Sequence, residues 1–119
     1  MRMRSGQHLR RQSDIRAVRQ QGTRVDCLAF TVWWTARAGG AELPRACFVA
    51  SNQAVGGAVL RNRAKRRMRE IFRRSQNLLP PSCDLLLVAR QQVNRWPFEK
   101  LERAFAEATV RIRSGTGTR

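Results

Sequence analysis

The pattern of apolar and polar residues predicts three β-strands. Residues 25–36 are rich in β-branched and aromatic side chains, so alternate positions fall on opposite faces of one strand. One face carries Leu28, Phe30, Val32 and Trp34, and the other carries Ala29, Thr31, Trp33 and Thr35. Residues 46–51 predict a second strand, antiparallel to the first, after a hairpin turn or loop over Arg37–Pro44. Residues 84–89 are almost continuously apolar, which is typical of a strand covered on both faces.

A short helix is predicted before these strands. Ser13 or Asp14 can cap its N-terminus, and Gly22 is placed to end it. Ile15 and Val18 lie three residues apart, so both are expected to face the core.

Two longer helices are predicted in the second half of the chain. One covers about residues 58–75, directly after Gly56-Gly57. The other covers 97–113 and has Pro97 in its first turn. In this last helix Glu99 precedes Arg103 by four residues and Glu107 precedes Arg111 by four, a spacing that favours ion pairs.

These elements predict one α+β domain with the order αββαβα. The connection from 46–51 through the long helix to 84–89 is long enough for a parallel crossover, so we expect a small mixed sheet packed by helices. With 119 residues, 42% of them hydrophobic, the chain is long enough for one core. We expect a disordered basic tail over 1–8, the domain over 9–113 and a flexible end over 114–119.

The charge of the chain points to a polyanionic partner. It has 24 lysines and arginines against 8 acidic residues, a formal net charge of +16. Such self-repulsion is costly for a small domain, and binding to nucleic acid is the usual reason for it. Arginine also binds phosphate in a planar, bidentate way that lysine cannot.

Nearly half of this net charge lies in residues 61–74, which contain seven arginines, one lysine and one glutamate. On a helix, the apolar residues of the long segment share one arc, predicted as core: Leu60, Ala64, Met68, Ile71 and Phe72. The opposite arc is polar and basic: Asn62, Lys65, Arg66, Arg69 and Arg73. Like charges at i, i+4 destabilise an isolated helix, so we interpret this arc as a phosphate-binding face. Glu70 can pair with Arg66 or Arg74.

The candidate chemistry of the chain does not suggest catalysis by the protein. Cys27, Cys47 and Cys83 are widely spaced and His8 is the only histidine, so neither a disulfide framework nor a zinc site is expected. The eight acidic residues are scattered, whereas a metal-dependent nuclease needs clustered carboxylates. We therefore expect no catalytic residue and no metal site in this chain.

Residues 58–70 match a known signature. They fit the pattern AVxRNRxKRxxRE at all nine specified positions, and the chain resembles the bacterial ribonuclease P protein family over roughly residues 9–113. The resemblance implies a fold of the ribosomal protein S5 domain 2 type with a left-handed βαβ crossover, although right-handed crossovers are the general rule.

The resemblance also implies the partners and the chemistry. The protein would join a catalytic RNA and help it remove the 5′ leader from precursor tRNA, while the RNA subunit holds the Mg²⁺ ions and cleaves the phosphodiester. We expect one protein per RNA, a cytoplasmic location, no DNA partner and no membrane partner.

The family's functional residues map onto two regions of this sequence. One is the helix over about 58–75, which carries the Arg-Asn-Arg (RNR) signature and is called the RNR helix here. It would contact RNA through Arg61, Asn62, Arg63, Lys65, Arg66, Arg69 and Arg73. A cleft between the first helix and the sheet would hold the leader, and its candidates are Ile15, Arg19, Thr31 and Trp33. Family members often have aromatic residues at the positions of Ile15 and Arg19, and Trp33 could compensate by stacking on a base. Only one of Trp33 and Trp34 can face this cleft.

Three other classes of function are alternatives. A ribosomal or other structural RNA-binding protein of similar fold has the same composition, so only the RNR spacing and the partner RNA distinguish it from a ribonuclease P protein. A protein-only nuclease is disfavoured because a carboxylate cluster and a general base are not evident. A membrane-active peptide is disfavoured because the apolar arc of the long helix is needed to cover the sheet. No apolar run approaches the ~18 residues of a membrane span, and no secretory signal is expected.

Overall fold

Residues 7–9, 11–36 and 43–115 are described by the structure, a computed structural model, and contain five helices and four strands. The helices are α1 (Gln12–Gln21), α2 (Asn52–Val55), α3 (Ala58–Ser75), α4 (Gln92–Arg95) and α5 (Phe98–Ser114). The strands are β1 (Thr23–Asp26), β2 (Phe30–Ala36), β3 (Arg45–Val49) and β4 (Cys83–Ala89). A short 3₁₀ helix, Gln76–Leu78, follows α3. The predicted class, one α+β domain with a mixed sheet packed by helices, is confirmed.

The sheet has the order β1-β2-β4-β3. β2 is antiparallel to both β1 and β4, and β3 is parallel to β4. The predicted parallel crossover through the long helix is therefore present. The predicted second strand runs antiparallel to the first but does not pair with it, because β4 lies between β2 and β3. A turn or loop was also predicted over Arg37–Pro44, and its residues 37–42 lie outside the described part of the chain.

The prediction of one strand over residues 25–36 is wrong, because the structure has two strands in this segment, β1 and β2. The chain reverses at Cys27–Ala29, where Leu28 adopts the left-handed φ of 68° and is 63% exposed instead of facing the core. A residue other than glycine is strained in this left-handed backbone conformation. The strain is offset because the Asp26 carboxylate accepts the Leu28 N–H at 2.8 Å. No glycine or proline marks this turn, so the sequence pattern alone does not indicate it.

The two faces of the sheet are covered by different helices. α3 and α5 cover the main core, which includes the alternate β2 residues Phe30 and Val32 and, partly buried, Trp34. α1 covers the other face, where Trp33 packs in a smaller cluster with Val18 and Leu86. The alternation predicted from Phe30 to Thr35 is thus confirmed, and it separates the two tryptophans.

α3 has the predicted bounds and, with one exception, the predicted buried arc. It begins after Gly57 and ends at Ser75. Ala64, Met68, Ile71 and Phe72 are fully buried. Leu60 is wrong as a core residue, because it is 43% exposed. It lies in the first turn of α3, one turn before the residues that reach the sheet.

α1 ends at Gly22 as predicted, but the predicted N-cap is wrong. The N-cap is Arg11, which makes no side-chain capping bond, and Ser13 and Asp14 lie inside the first turn. Asp14 instead approaches Arg45, with 3.8 Å between carboxylate oxygen and guanidinium nitrogen. The ion pair holds α1 against the end of β3.

Residues 7 and 8, predicted to belong to a disordered tail, are part of the fold. Gln7 is 1% exposed, and its amide nitrogen donates to the carbonyl of Pro44 and to the side chain of Gln76. His8 bridges to Ala46, and the Leu9 N–H donates to the Ala46 carbonyl at 2.9 Å. Residues 7–9 therefore extend the β3 edge of the sheet, and the folded part begins before the predicted boundary at residue 9.

The end of the chain also differs in detail from the prediction. Ser114 is still helical, at the end of α5, while residues 116–119 lie outside the described part. Within the described residues, no helix combines the length and the apolarity that crossing a bilayer would need.

The rotation of α3 predicts opposite outcomes for two substitutions. Met68→Asp should unfold the domain, because it places a carboxylate in a fully buried apolar site. Leu60→Asp on the exposed part of the same helix should leave the thermal midpoint within a few degrees of the parent. Thermal unfolding followed by circular dichroism measures both. A cooperative, parent-like transition for Met68→Asp would contradict the placement of this helix face.

Candidate RNA-binding surface

The outward face of α3 forms a concave cationic surface. Four predicted site residues, Asn62, Lys65, Arg66 and Arg69, line one depression of about 490 Å³ together with Val59. They meet because positions three and four apart share one side of a helix. Three positive charges and an amide thus converge on one site, an arrangement that suits phosphate oxygens. We call these four residues the α3 surface.

The other three predicted residues of the RNR helix lie outside this depression. Arg63 is exposed, and Arg61 is half-buried with a buried Nε that has no hydrogen-bond partner among the described residues. Arg73 is held by Glu70 through two hydrogen bonds, which lower the pKa of the Glu70 carboxyl and raise that of Arg73. The predicted pairing of Glu70 with Arg66 or Arg74 is therefore wrong, and Arg66 keeps its charge available.

Two further arginines of α3 support the fold. Arg67 donates to the carbonyls of Val93, at 2.7 Å, and of Trp96. Burial and the neighbouring Arg63 lower the pKa of Arg67. Arg74 pairs with Glu102 of α5 at 3.3 Å. These contacts fasten one flank of α3 to the α4–α5 region, so part of the charge in 61–74 is structural.

The predicted leader cleft brings Ile15, Arg19 and Trp33 together on the α1 face of the sheet. Ile15 packs in the small cluster that contains Trp33. The Arg19 guanidinium carbon lies 4.9 Å from the centre of the Trp33 ring, a cation–π contact. Beside them, a depression of about 550 Å³ is lined by Trp33 and Arg24. The structure thus places Trp33, and not Trp34, at this cleft.

Thr31 lies on the same face as Trp33 but is buried. Its hydroxyl accepts a hydrogen bond from Arg90 at 3.1 Å. Arg90 also pairs with Asp26 at 3.0 Å and donates to the Leu28 carbonyl. The Leu28 N–H and Arg90 together lower the pKa of the Asp26 carboxyl against the opposing effect of burial. Thr31 therefore belongs to the group of residues that Arg90 joins at the β1–β2 turn. Its hydroxyl points to Arg90 and not to the cleft.

The α3 surface and the cluster beneath the cleft both contact β3. Arg69 lies 5.6 Å from the ring centre of Phe48. Cys47, the preceding residue of β3, packs in the α1-side cluster. Burial raises the pKa of the Cys47 thiol, and the positive charge of nearby Lys65 partly opposes this. β3 thus contacts the cationic helix face on one side and the cluster beneath the cleft on the other, while Trp33 itself lies two strands away, on β2.

Five acidic side chains of the described part of the chain are engaged by arginines: Asp14, Asp26, Glu70, Asp84 and Glu102. Arg45 binds the buried Asp84 in a bidentate pair at 2.9 and 2.7 Å. Asp26, Glu70 and Glu102 are also paired. Within the described ranges, no three His, Cys, Asp or Glu side chains lie close enough to hold a metal ion together. The described side chains therefore do not fit a divalent-metal site, and Cys27 and Cys47 are free thiols.

Comparison with known proteins gives a consistent result for sequence and fold. The model of the family described as Ribonuclease P matches residues 3–113. The ribonuclease P protein component of Brevibacillus brevis is 30% identical over 111 residues, which cover 93% of this chain and 86% of that protein. The RNase P protein of Thermotoga maritima has a TM-score of 0.73 at 26% identity and covers 94% of this chain and 97% of its own. That of Staphylococcus aureus, at 22% identity and a TM-score of 0.72, covers 90% of this chain and 94% of its own and is similar in fold.

The α3 surface predicts a ranking of arginine variants in RNA binding. Arg66→Gln combined with Arg69→Gln should weaken binding to a bacterial ribonuclease P RNA about tenfold or more. It should also make the dependence of log Kd on log salt less steep by about 0.7–0.9 for each phosphate that the variant no longer binds. Filter binding at several salt concentrations measures both effects.

Arg73→Gln is the matched control for this ranking, because Arg73 lies on the same helix but is paired with Glu70. It should change affinity and salt dependence less than either of the other two substitutions alone. Equal losses for Arg73→Gln and Arg66→Gln would mean that binding reports only the total charge of the helix.

Proposed function

This chain belongs to the bacterial ribonuclease P protein family, and we propose that it acts as the protein subunit of that enzyme in the following way. It binds the ribonuclease P RNA through the α3 surface and the 5′ leader of precursor tRNA through the cleft beside α1. By holding both, it promotes removal of the leader to give the mature 5′ end of the tRNA. The observation that carries the proposal is the convergence of Asn62, Lys65, Arg66 and Arg69 at one depression.

Electrostatics supports RNA as the partner. A chain with a net charge of +16 attracts a polyanion from a distance and releases condensed counterions when it binds. If about five phosphates are engaged, log K should fall with log salt with a slope near −4. The α3 surface concentrates this attraction at one place.

We assign the chemical step to the RNA subunit. Phosphodiester hydrolysis assisted by metal ions needs oxygen ligands that converge on the metal. In this chain the carboxylates of Asp26, Asp84 and Glu70 are bound by guanidinium groups instead. We therefore place the Mg²⁺ ions mainly on the RNA, and we assign no catalytic residue to the protein. Its contribution is to bind and orient.

The leader would lie across Trp33. Stacking of a base on an aromatic ring is worth ~1–3 kcal/mol and is tolerant of sequence. Arg19 already lies over this ring, so an incoming base either stacks on the outer face of the guanidinium or displaces it toward a leader phosphate. Both arrangements bind unpaired RNA without selecting a particular base.

The remaining parts of the proposal concern the assembly. One α3 surface per chain suits one protein per RNA subunit. We place the assembly in the cytoplasm, with no DNA or membrane partner, since its substrate is precursor tRNA.

Cleavage of precursor tRNA tests the proposed function. A bacterial ribonuclease P RNA at low Mg²⁺ should cleave the precursor much faster with this protein than without it, and the protein alone should cleave nothing. Gel analysis of end-labelled precursor measures the rates. No stimulation by a folded chain that recovers ribosomal RNA in a pull-down would favour a structural ribosomal role and contradict the proposal. Cleavage by the protein alone would contradict the assignment of the chemistry to RNA.

Replacing Trp33 tests the leader cleft. Trp33→Ala should raise KM for precursor tRNA about fivefold or more, because it removes the stacking surface, with a smaller change in kcat. Trp34→Phe is the matched control, since Trp34 lies on the opposite face of the sheet. Steady-state kinetics and binding of mature tRNA are compared. An equal loss in mature tRNA binding would exclude Trp33 from the leader site.

A further inference from the structure

A third concave surface lies between α5 and the turn that joins β1 to β2, on the face of the sheet away from α1. It encloses about 330 Å³, which is at the lower end of the range for small-ligand sites. Its floor is apolar and made of small side chains, because α5 presents Ala104 and Ala108 beside Val25 and Cys27. Burial raises the pKa of the Cys27 thiol to about 12, so this floor is uncharged at neutral pH.

One wall of the groove is a stripe of cations on α5. Lys100, Arg103 and Arg111 line it, with Glu107 as the one carboxylate of the stripe. The sequence spacing favoured ion pairs of Glu99 with Arg103 and of Glu107 with Arg111. Among the residues that the structure describes, no ion pair joins any of these three cations to a carboxylate. The stripe is therefore positively charged.

The opposite wall does not cancel this charge. Asp26 lines it, but its carboxylate is held by Arg90 at 3.0 and 3.3 Å and by the Leu28 N–H. The negative charge of Asp26 is thus used within the turn. The groove is left with three cations and one carboxylate that is not engaged by the turn.

An aromatic ring closes one end of the groove. Trp96 is half-buried, and the Lys100 ammonium lies 4.1 Å from its ring centre. A ring flanked by cations is the combination with which proteins bind unpaired nucleic acid: a base stacks on the ring while the cations neutralise the adjacent phosphates.

The groove is also continuous with the flank of α3. Arg67 of α3 donates to the backbone carbonyl of Trp96. Arg63 lies close enough to Arg67 to lower its pKa further. The exposed Arg63 lies one helical turn before Arg67 on α3, so RNA bound at the α3 surface has a cationic path toward the groove.

We propose that this α5 groove, formed by Trp96, Lys100, Arg103 and Arg111, is a third RNA-binding site that holds an unpaired RNA segment. A base lies against Trp96 and the apolar floor, and its phosphates lie beside the α5 cations. The site uses neither the α3 surface nor the α1 cleft, so it goes beyond the proposed function.

Binding of a fluorescein-labelled oligouridylate to the full chain tests this site. The triple variant Lys100→Gln/Arg103→Gln/Arg111→Gln should bind about tenfold or more weakly. Its log Kd should depend less steeply on log salt, by about 0.7 for each phosphate that the variant no longer binds. Glu107→Gln should bind more tightly than the parent. Arg113→Gln is the matched control, because Arg113 projects from the same helix toward Leu78, where it donates to the backbone carbonyl.

Two replacements of Trp96 separate stacking from charge. Trp96→Leu should lose about fivefold or more in affinity, whereas Trp96→Phe, which keeps an aromatic face, should lose less. Because Trp96 also packs against the core, thermal unfolding accompanies both. The triple variant decides the question if Trp96→Leu does not fold.

Parent-like affinity of the triple variant, or an equal loss with Arg113→Gln, would overturn the α5 groove. The Arg66→Gln/Arg69→Gln variant is measured on the same oligonucleotide. If it loses binding while the groove variants do not, the groove proposal fails and the proposed function stands.

Discussion

Covering both faces of β4 is the constraint on which the rest of this structure depends. The strand lies between β2 and β3, and its side chains alternate between Leu85 and Leu87 on one face and Leu86 and Val88 on the other. Apolar area removed from water stabilises by ~25 cal/mol per Å², so neither face can remain open. α1 therefore packs on one side, and α3 and α5 on the other. Because the apolar arc of α3 faces the sheet, its cations necessarily face outward.

This geometry explains how the domain tolerates so many like charges on one helix. Repulsion between cations at i, i+4 disfavours α3 as an isolated helix. Burial of Met68, Ile71 and Phe72 against the sheet supplies the stability that the helix lacks by itself. An RNA phosphate then relieves the repulsion, so the cost of folding this surface is partly recovered when the partner binds.

Arginine has two distinct uses in this chain. Arg45 binds the buried Asp84, Arg90 holds the β1–β2 turn, and Arg67 supports the backbone before α5. Arg66 and Arg103 instead line open concave surfaces. Since both groups are chemically identical, composition predicts a polyanionic partner but does not tell which arginines contact it. The partners of each guanidinium distinguish the two groups, because a carboxylate or a backbone carbonyl that holds an arginine marks it as structural.

Features that are encoded within a few neighbouring residues could be predicted from the sequence. These include the bounds of α3 after Gly57, the doubly covered strand β4, the alternation from Phe30 to Thr35, and the RNR signature with its cationic arc. Other features became apparent only from the folded chain. These are the pairing of the strands and the β1–β2 turn that interrupts residues 25–36. The place of Gln7 in the fold and of Trp33 at the cleft also belong to this group. The physical reason is range: periodicity and turn chemistry act locally, whereas strand pairing and ion pairs such as Asp26–Arg90 join residues that lie far apart in the chain.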